Sequence, residues 1–95
     1  MLKDVREEIQ KIDDQIIELI AQRTDMAEKI LAAKKKEGVE IDDEKQNKVV
    51  LKRVVEAATE HGMDVGAVKR IYGILIEMCI ERQRELRGRG QLQSS

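Results

Sequence analysis

Three polar side chains stand at positions where the surrounding sequence pattern calls for apolar ones. Arg23 interrupts a regular series of apolar residues, and Lys34 follows it by eleven residues. On a helix this spacing places both cations on one face, three turns or ~16 Å apart. Gln83 lies on a second apolar stripe, four residues after Cys79. Two cations that converge on one anion, beside a buried amide, predict a pocket for a small dianion.

Structural explanations compete with this hypothesis at each position. Arg23 could extend its guanidinium to solvent along apolar surface, or it could form a buried ion pair. The candidate partners for such a pair are Glu56, Glu77 and Glu81. Lys34–Lys36 would suit the negative end of a helix dipole, and Gln83 could lie at a rim. Gln46 fits a capping box that begins at Asp43, in which its amide bonds back to the helix start.

Arg6 indicates that the pocket is shared between two chains. It lies 17 residues before Arg23. On one helix this separation is ~25 Å, with a rotation of ~100° about the axis. Arg6 therefore cannot join Arg23 and Lys34 within its own chain. In an antiparallel dimer, the start of one first helix comes beside the middle and end of the other, where Arg6 would supply a third cation.

Two glycines divide the chain into three predicted helices. Gly38 and Gly62 can each close a helix, and an aspartate that can cap the next helix follows within a few residues. The prediction is helix 1 over about 3–36, helix 2 over about 43–60 and helix 3 over about 64–87. Residues 1–87 form one helical domain, and residues 88–95 are expected to be a flexible tail.

Helix 1 carries the strongest periodic pattern. Its apolar seam follows an unbroken 4-3-4-3 spacing, typical of a coiled coil, at Val5, Ile9, Ile12, Ile16, Leu19, Arg23, Met26, Ile30 and Ala33. Such a helix is roughly 50 Å long, whereas a compact chain of this size has a radius of gyration of ~12–13 Å. One chain cannot cover that seam along its whole length. The sequence therefore predicts an all-α, intertwined two-fold homodimer.

Composition excludes several other classes of protein. Charged residues make up 39% of the chain, and Pro, Phe and Trp are absent, which disfavours a sheet protein. The net charge of -1 and the single Tyr argue against nucleic-acid binding. One Cys and one His provide neither a disulfide framework nor a four-ligand zinc site. No apolar stretch is long enough for a membrane span, so the expected location is the cytoplasm.

With these residues in place, the chain resembles the all-helical (AroQ-type) chorismate mutase family over roughly residues 2–87. The resemblance rests on Arg6, on Arg23 after 17 residues, on Lys34 after 11 more, and on Gln83 near the end of helix 3. It implies an isomerase that rearranges chorismate to prephenate in phenylalanine and tyrosine biosynthesis, part of the shikimate pathway. It also implies an interlocked dimer with two active sites, and chemistry that needs no metal and no cofactor.

The resemblance implies a role for each site residue. Arg23 and the partner subunit's Arg6 would bind the two carboxylates of chorismate, while Lys34 and Gln83 would donate to the ether oxygen. Ile30, Ile76 and Ile80 would form apolar walls. The substrate hydroxyl would meet the start of helix 2, through Asp42 and Gln46.

Three positions depart from the family pattern. Gln46 stands where the family usually has a glutamate that holds the substrate hydroxyl, and Lys45 stands where an arginine is usual. Cys79 replaces a frequent Ser or Asn and is a poor hydrogen-bond donor. These residues are still expected to contact substrate. Two other functions stay open on the same scaffold: isochorismate–pyruvate lyase, and a non-catalytic dimerisation module.

Overall fold

The computed structural model describes the backbone of residues 1–94 and the side chains of residues 1–89. It contains the helices α1 (Leu2–Asp25), α2 (Ala27–Glu37), α3 (Glu44–Glu60) and α4 (Val65–Ser94). Residues 1–94 contain no strand. The predicted all-α fold class is therefore confirmed. None of the helices in the described part of the chain is both long and apolar enough to cross a membrane.

The predicted helix 1 corresponds to α1 and α2, which a single residue separates. Met26 keeps right-handed dihedrals, with φ at -66° and ψ at -14°. Its N–H donates to Gln22 at 3.2 Å, and its carbonyl accepts from Ile30 at 3.0 Å. The Thr24 hydroxyl donates back to the Ile20 carbonyl at 2.9 Å, a bond that often bends a helix. Helical hydrogen bonding therefore continues through Met26, despite the interruption that the sequence pattern did not predict.

Glycine and aspartate mark the helix ends. Gly38 and Gly62 have φ values of +72° and +64°, a left-handed conformation that closes the preceding helix. Asp43 caps α3, where its side chain accepts from the backbone N–H of Gln46 at 3.3 Å. Asp64 accepts in the same way at the start of α4, at 2.9 Å. Each Gly–Asp pair therefore ends one helix and begins the next.

The last helix is longer than the predicted helix 3. It continues past Arg87 to Ser94, because Gly88 does not adopt a positive φ and no proline follows. A glycine inside a helix costs about 1 kcal/mol relative to alanine but does not end the helix by itself. The expected flexibility of residues 88–95 stays a prediction, since Ser95 and the side chains from residue 90 onward lie outside the described residues.

The core is small and centres on α4, which contacts α1, α2 and α3. Its buried apolar side chains are Ala27, Ile41, Val54, Ala58, Cys79 and Ile80. Ala27 is fully buried, so α2 packs on α4 through a face that is offset from the seam. On α3 the buried residues are Val54 and Ala58, which lie on one face at i, i+4 spacing.

The seam of α1 stays uncovered within the chain. No residue of α1 is buried, and Val5, Ile9, Ile12, Ile16 and Leu19 are each 48–61% exposed. The chain measures 59 × 27 × 16 Å, with a radius of gyration of 16.8 Å. A compact domain of this length would have a radius of only ~12–13 Å. The helices of one chain therefore leave a long apolar surface open.

Candidate active site

A pocket with a volume of about 200 Å³ lies where α2, α3 and α4 meet. Its wall is formed by side chains from all three predicted helices: Arg23, Ile30, Lys34, Asp43, Gln46, Asn47, Val50, Ile76, Cys79, Ile80 and Gln83. Eight of the residues that the sequence singled out for a site are among them. The structure therefore gathers residues up to 60 positions apart into one pocket.

Arg23 is held by α4. Its Nη1 donates to the Leu75 carbonyl at 3.0 Å, and its Cζ lies 6.0 Å from the centre of the Tyr72 ring. The predicted alternative of an ion pair with a glutamate is not found, since the ion pairs among the described side chains do not include Arg23. A guanidinium has five N–H donors. The half-buried cation is therefore fixed in place, with donors and charge left for a ligand.

Lys34 reaches from the last turn of α2 to the loop that precedes α3. Its Nζ donates to the carbonyl of Ile41, whose side chain is buried. Lys35 and Lys36 are exposed, as expected of cations that interact with the negative end of the helix dipole. Lys34 is half-buried in the pocket wall, and an ammonium group has two further N–H donors beyond this bond.

Gln83 is the buried polar residue of the pocket, with only 1% of its surface exposed. Its Nε2 lies 3.3 Å from the Cys79 carbonyl oxygen and 3.4 Å from Cys79 Sγ. Because a carbonyl can only accept, the amide nitrogen must face it. Oε1 is buried without a partner among the described residues. Such burial excludes a rim position and indicates an amide that a ligand can complete.

The start of α3 supplies the remaining polar wall. Asp43, Gln46, Asn47 and Val50 line the pocket because positions i, i+3, i+4 and i+7 share one helix face. The Gln46 N–H bonds to Asp43, but no hydrogen bond of its side chain closes the capping box within the described residues. Sequence reasoning did not assign Asp43, Asn47 and Val50 to the site. The i, i+3, i+4, i+7 spacing that begins at Asp43 was the signal that could have found them.

Three predicted site residues lie outside this wall. Asp42 and Lys45 are exposed and do not line the pocket, because Asp42 precedes the cap and Lys45 lies off the pocket face of α3. Arg6 is exposed in the second turn of α1 and is also absent from the lining. Within one chain the pocket therefore holds two cations, Arg23 and Lys34, and one carboxylate, Asp43.

Apolar surface separates these polar groups. Ile80 is 5% exposed, Ile76 and Val50 are half-buried, and Ile30 closes the wall from α2. Because these apolar side chains give a low local dielectric, the interaction of the cations with a bound anion would be stronger than in water. Fold and pocket together define an all-helical protein whose pocket has the cations and apolar walls that would suit a small anionic molecule.

Comparison with known proteins places the chain in a family. The model of the family "Chorismate mutase type II" matches residues 5–84. A chorismate mutase of Methanocaldococcus jannaschii is 33% identical over 76 residues, which are 80% of this chain and 77% of that protein. A bifunctional chorismate mutase/prephenate dehydratase of Buchnera aphidicola (subsp. Schizaphis graminum) is 26% identical over 85 residues, which are 90% of this chain and 22% of that protein. The chain belongs to the chorismate mutase type II family, whose activity is that of an isomerase.

Proposed function

We propose that the protein converts chorismate to prephenate by the Claisen rearrangement that its family performs. The observation that carries the proposal is the pocket in which Arg23, Lys34 and the buried Gln83 surround a space walled by isoleucines. A concerted rearrangement of this kind needs no nucleophile from the protein. One ether C–O bond breaks while one C–C bond forms, and neither a proton nor an electron has to be exchanged with the protein.

Arg23 contributes by fixing a carboxylate of the substrate. Its guanidinium is already oriented by Leu75, and planar N–H pairs match the two oxygens of a carboxylate. Holding the flexible enolpyruvyl group over the ring places the two carbons that bond to each other in a reactive arrangement. Part of the entropic barrier is then met by binding energy.

Lys34 and Gln83 contribute at the ether oxygen, which gains negative charge as its bond breaks. Lys34 brings a full positive charge. Gln83 brings the second N–H of its buried amide group, because one N–H donates to the Cys79 carbonyl and the other contacts only the weak acceptor Cys79 Sγ. These interactions strengthen in the transition state, so they raise kcat more than they improve substrate binding. The substrate hydroxyl would lie toward the start of α3, where Gln46 and Asn47 supply amide groups.

The protein is proposed to act as an antiparallel dimer. Its accessible surface is 7894 Å², whereas a compact monomer of 10.9 kDa exposes about 5,600 Å². The excess of roughly 2,300 Å² per chain, or about 4,600 Å² for two chains, lies within the range of total area that obligate dimers bury. The half-exposed seam of α1 is the apolar part of that surface. Pairing two seams antiparallel would bring the partner subunit's Arg6 to the pocket, as its third cation.

A turnover assay tests the proposed activity. Loss of the ultraviolet absorbance of chorismate is followed after addition of purified protein, and prephenate is identified by acid conversion to phenylpyruvate. The expected result is a rate far above the uncatalysed one, abolished by Arg23→Ala and retained by Arg53→Ala, which removes an exposed arginine outside the pocket. Salicylate formed from isochorismate as the main product would contradict the proposal and identify the lyase.

Mixing two inactive variants tests the shared site. Arg6→Ala and Arg23→Ala each damage both pockets of their own homodimer. A hybrid dimer has one pocket with both changes and one pocket with neither, so subunit exchange should restore activity in part. Subunit exchange is verified by mass spectrometry of differently labelled subunits. If exchange occurs and activity is not restored, the result contradicts donation of Arg6 across the interface.

A further inference from the structure

A hydrogen bond joins one residue of the pocket wall to a residue just outside it. Asn47 is half-buried in the pocket wall, and its Nδ2 donates to Asp42 Oδ1 at 2.8 Å. Asp42 itself is exposed and does not line the pocket. The two residues lie on opposite sides of the Asp43 cap, so their contact joins the loop to the first turn of α3.

The bond to Asp42 determines which end of the Asn47 amide faces a ligand. An ionised carboxylate can only accept hydrogen bonds, so the amide atom that contacts it must be the nitrogen. The amide nitrogen and oxygen diverge from one carbon atom, and the nitrogen is bound to a residue outside the wall. None of the hydrogen bonds among the described residues ends at Asn47 Oδ1. With the nitrogen held at Asp42, this oxygen is the acceptor that Asn47 can offer to a ligand, beside the second N–H of Nδ2. A hydrogen bond to a charged acceptor is about twice as strong as a neutral one, which keeps the amide in this orientation.

We propose that Asp42 is a positioning residue that makes Asn47 a hydrogen-bond acceptor for the ring hydroxyl of the substrate. This inference rests on the proposed function. An acceptor at the start of α3 selects a ligand that presents a neutral donor there and disfavours one that presents a carboxylate. The carboxylates are thereby directed away from the start of α3, toward Arg23 and the partner subunit's Arg6. Asp42 fixes the direction in which chorismate binds, although it does not touch it.

Asp42 could instead act only on the fold. A carboxylate beside a helix N-terminus stabilises the helix through its dipole, whatever the ligand is. The two roles differ in their dependence on the ligand. A positioning role affects a substrate that carries the hydroxyl and leaves an analogue without it unaffected, whereas a structural role affects both substrates alike.

Four variants and two ligands separate these roles. The variants are Asp42→Ala, Asp42→Asn, Asn47→Ala and the double change to alanine, and the ligands are chorismate and its analogue without the ring hydroxyl. Loss of one hydrogen bond predicts a roughly fivefold lower kcat/KM of Asp42→Ala on chorismate and no change on the analogue. Asp42→Asn should recover most of the loss, because its amide oxygen can still accept from Asn47. Adding Asp42→Ala to Asn47→Ala should have no further effect.

Three results would overturn the inference while leaving the proposed function intact. The first is an equal loss on both ligands, the second is additivity of the two alanine changes, and the third is a wild-type rate in Asp42→Ala. Calorimetric binding of both ligands gives the same comparison without turnover. A wild-type protein that converts no chorismate but binds it in this hydroxyl-dependent way would overturn only the proposed activity. A protein that neither converts nor binds chorismate would overturn both.

Discussion

Replacing Ile12 with glutamate should separate the proposed dimer and abolish catalysis in the same step. Ile12 lies in the middle of the seam and is 54% exposed, between Ile9 at 50% and Ile16 at 48%. These exposed halves of the side chains are the surfaces that a second α1 helix would cover. A carboxylate at position 12 would have to lose its water in the middle of an apolar interface.

The size of the effect follows from the exposed fraction. Full burial of an isoleucine side chain is worth about 1.5–3 kcal/mol, so the exposed half of Ile12 contributes about 1 kcal/mol per subunit and about 2 kcal/mol per dimer. Desolvation of each introduced carboxylate adds several kcal/mol. The total exceeds about 6 kcal/mol, which weakens dimerisation by at least ~10⁴-fold.

The assay combines oligomeric state with activity. Sedimentation velocity at micromolar concentration gives the mass of the particle, and chorismate turnover at the same concentration gives the activity. Gln10→Glu is the matched control, because it introduces the same carboxylate two residues away at an exposed position outside the seam. An Ile12→Glu protein that stays dimeric and active, or a wild-type protein that is active as a monomer, would refute the reasoning.

Three further changes test single residues. Lys34→Ala should lower kcat by ~10²-fold or more through loss of a transition-state donor, while Lys35→Ala, exposed one residue later, should leave kcat unchanged. Gln83→Glu should give activity that rises as the pH falls through the pKa of the introduced carboxyl, a pKa that burial raises, because only the protonated form donates; a flat pH–rate profile would contradict donation at this position. Gly38→Ala should lower the free energy of unfolding by about 1–2 kcal/mol in denaturant titrations, because φ is +72° there; unchanged stability would contradict a steric origin.

The sequence was most informative where a regular pattern was broken. The a/d spacing of the first helix predicts an apolar seam, so a charged residue within it, Arg23, stands out at once. Gln83 stands out on α4 for the same reason, and the structure places both in one pocket. The Gly–Asp pairs predict the helix ends because each residue type has a specific backbone role there. The all-helical fold needed no knowledge of tertiary contacts.

The sequence was less informative where two neighbouring residues are chemically alike. Asp42 and Asp43 both suit a helix start, and only the three-dimensional arrangement shows that Asp43 lines the pocket while Asp42 does not. The family resemblance placed Lys45 at the site, whereas the pocket wall contains Asn47, which the sequence analysis did not assign. Periodicity also could not tell which face of the first helix packs within the chain. Burial of Ala27 shows that α2 packs through a face beside the seam, so the seam itself stays open.

Arg23 belongs both to the seam of the first helix and to the cationic pocket. Arg23 occupies a seam position, where its guanidinium is held by a carbonyl and an aromatic ring but by no carboxylate among the described side chains. With Lys34 it leaves two half-buried cations and one nearby carboxylate, Asp43, an arrangement that stability alone would not favour. A bound dianion would offset this excess of positive charge, so the same two cations are proposed to hold the substrate. The partner subunit's Arg6 would increase the imbalance further, which ties the proposed dimer to a site whose stability depends on an anionic ligand.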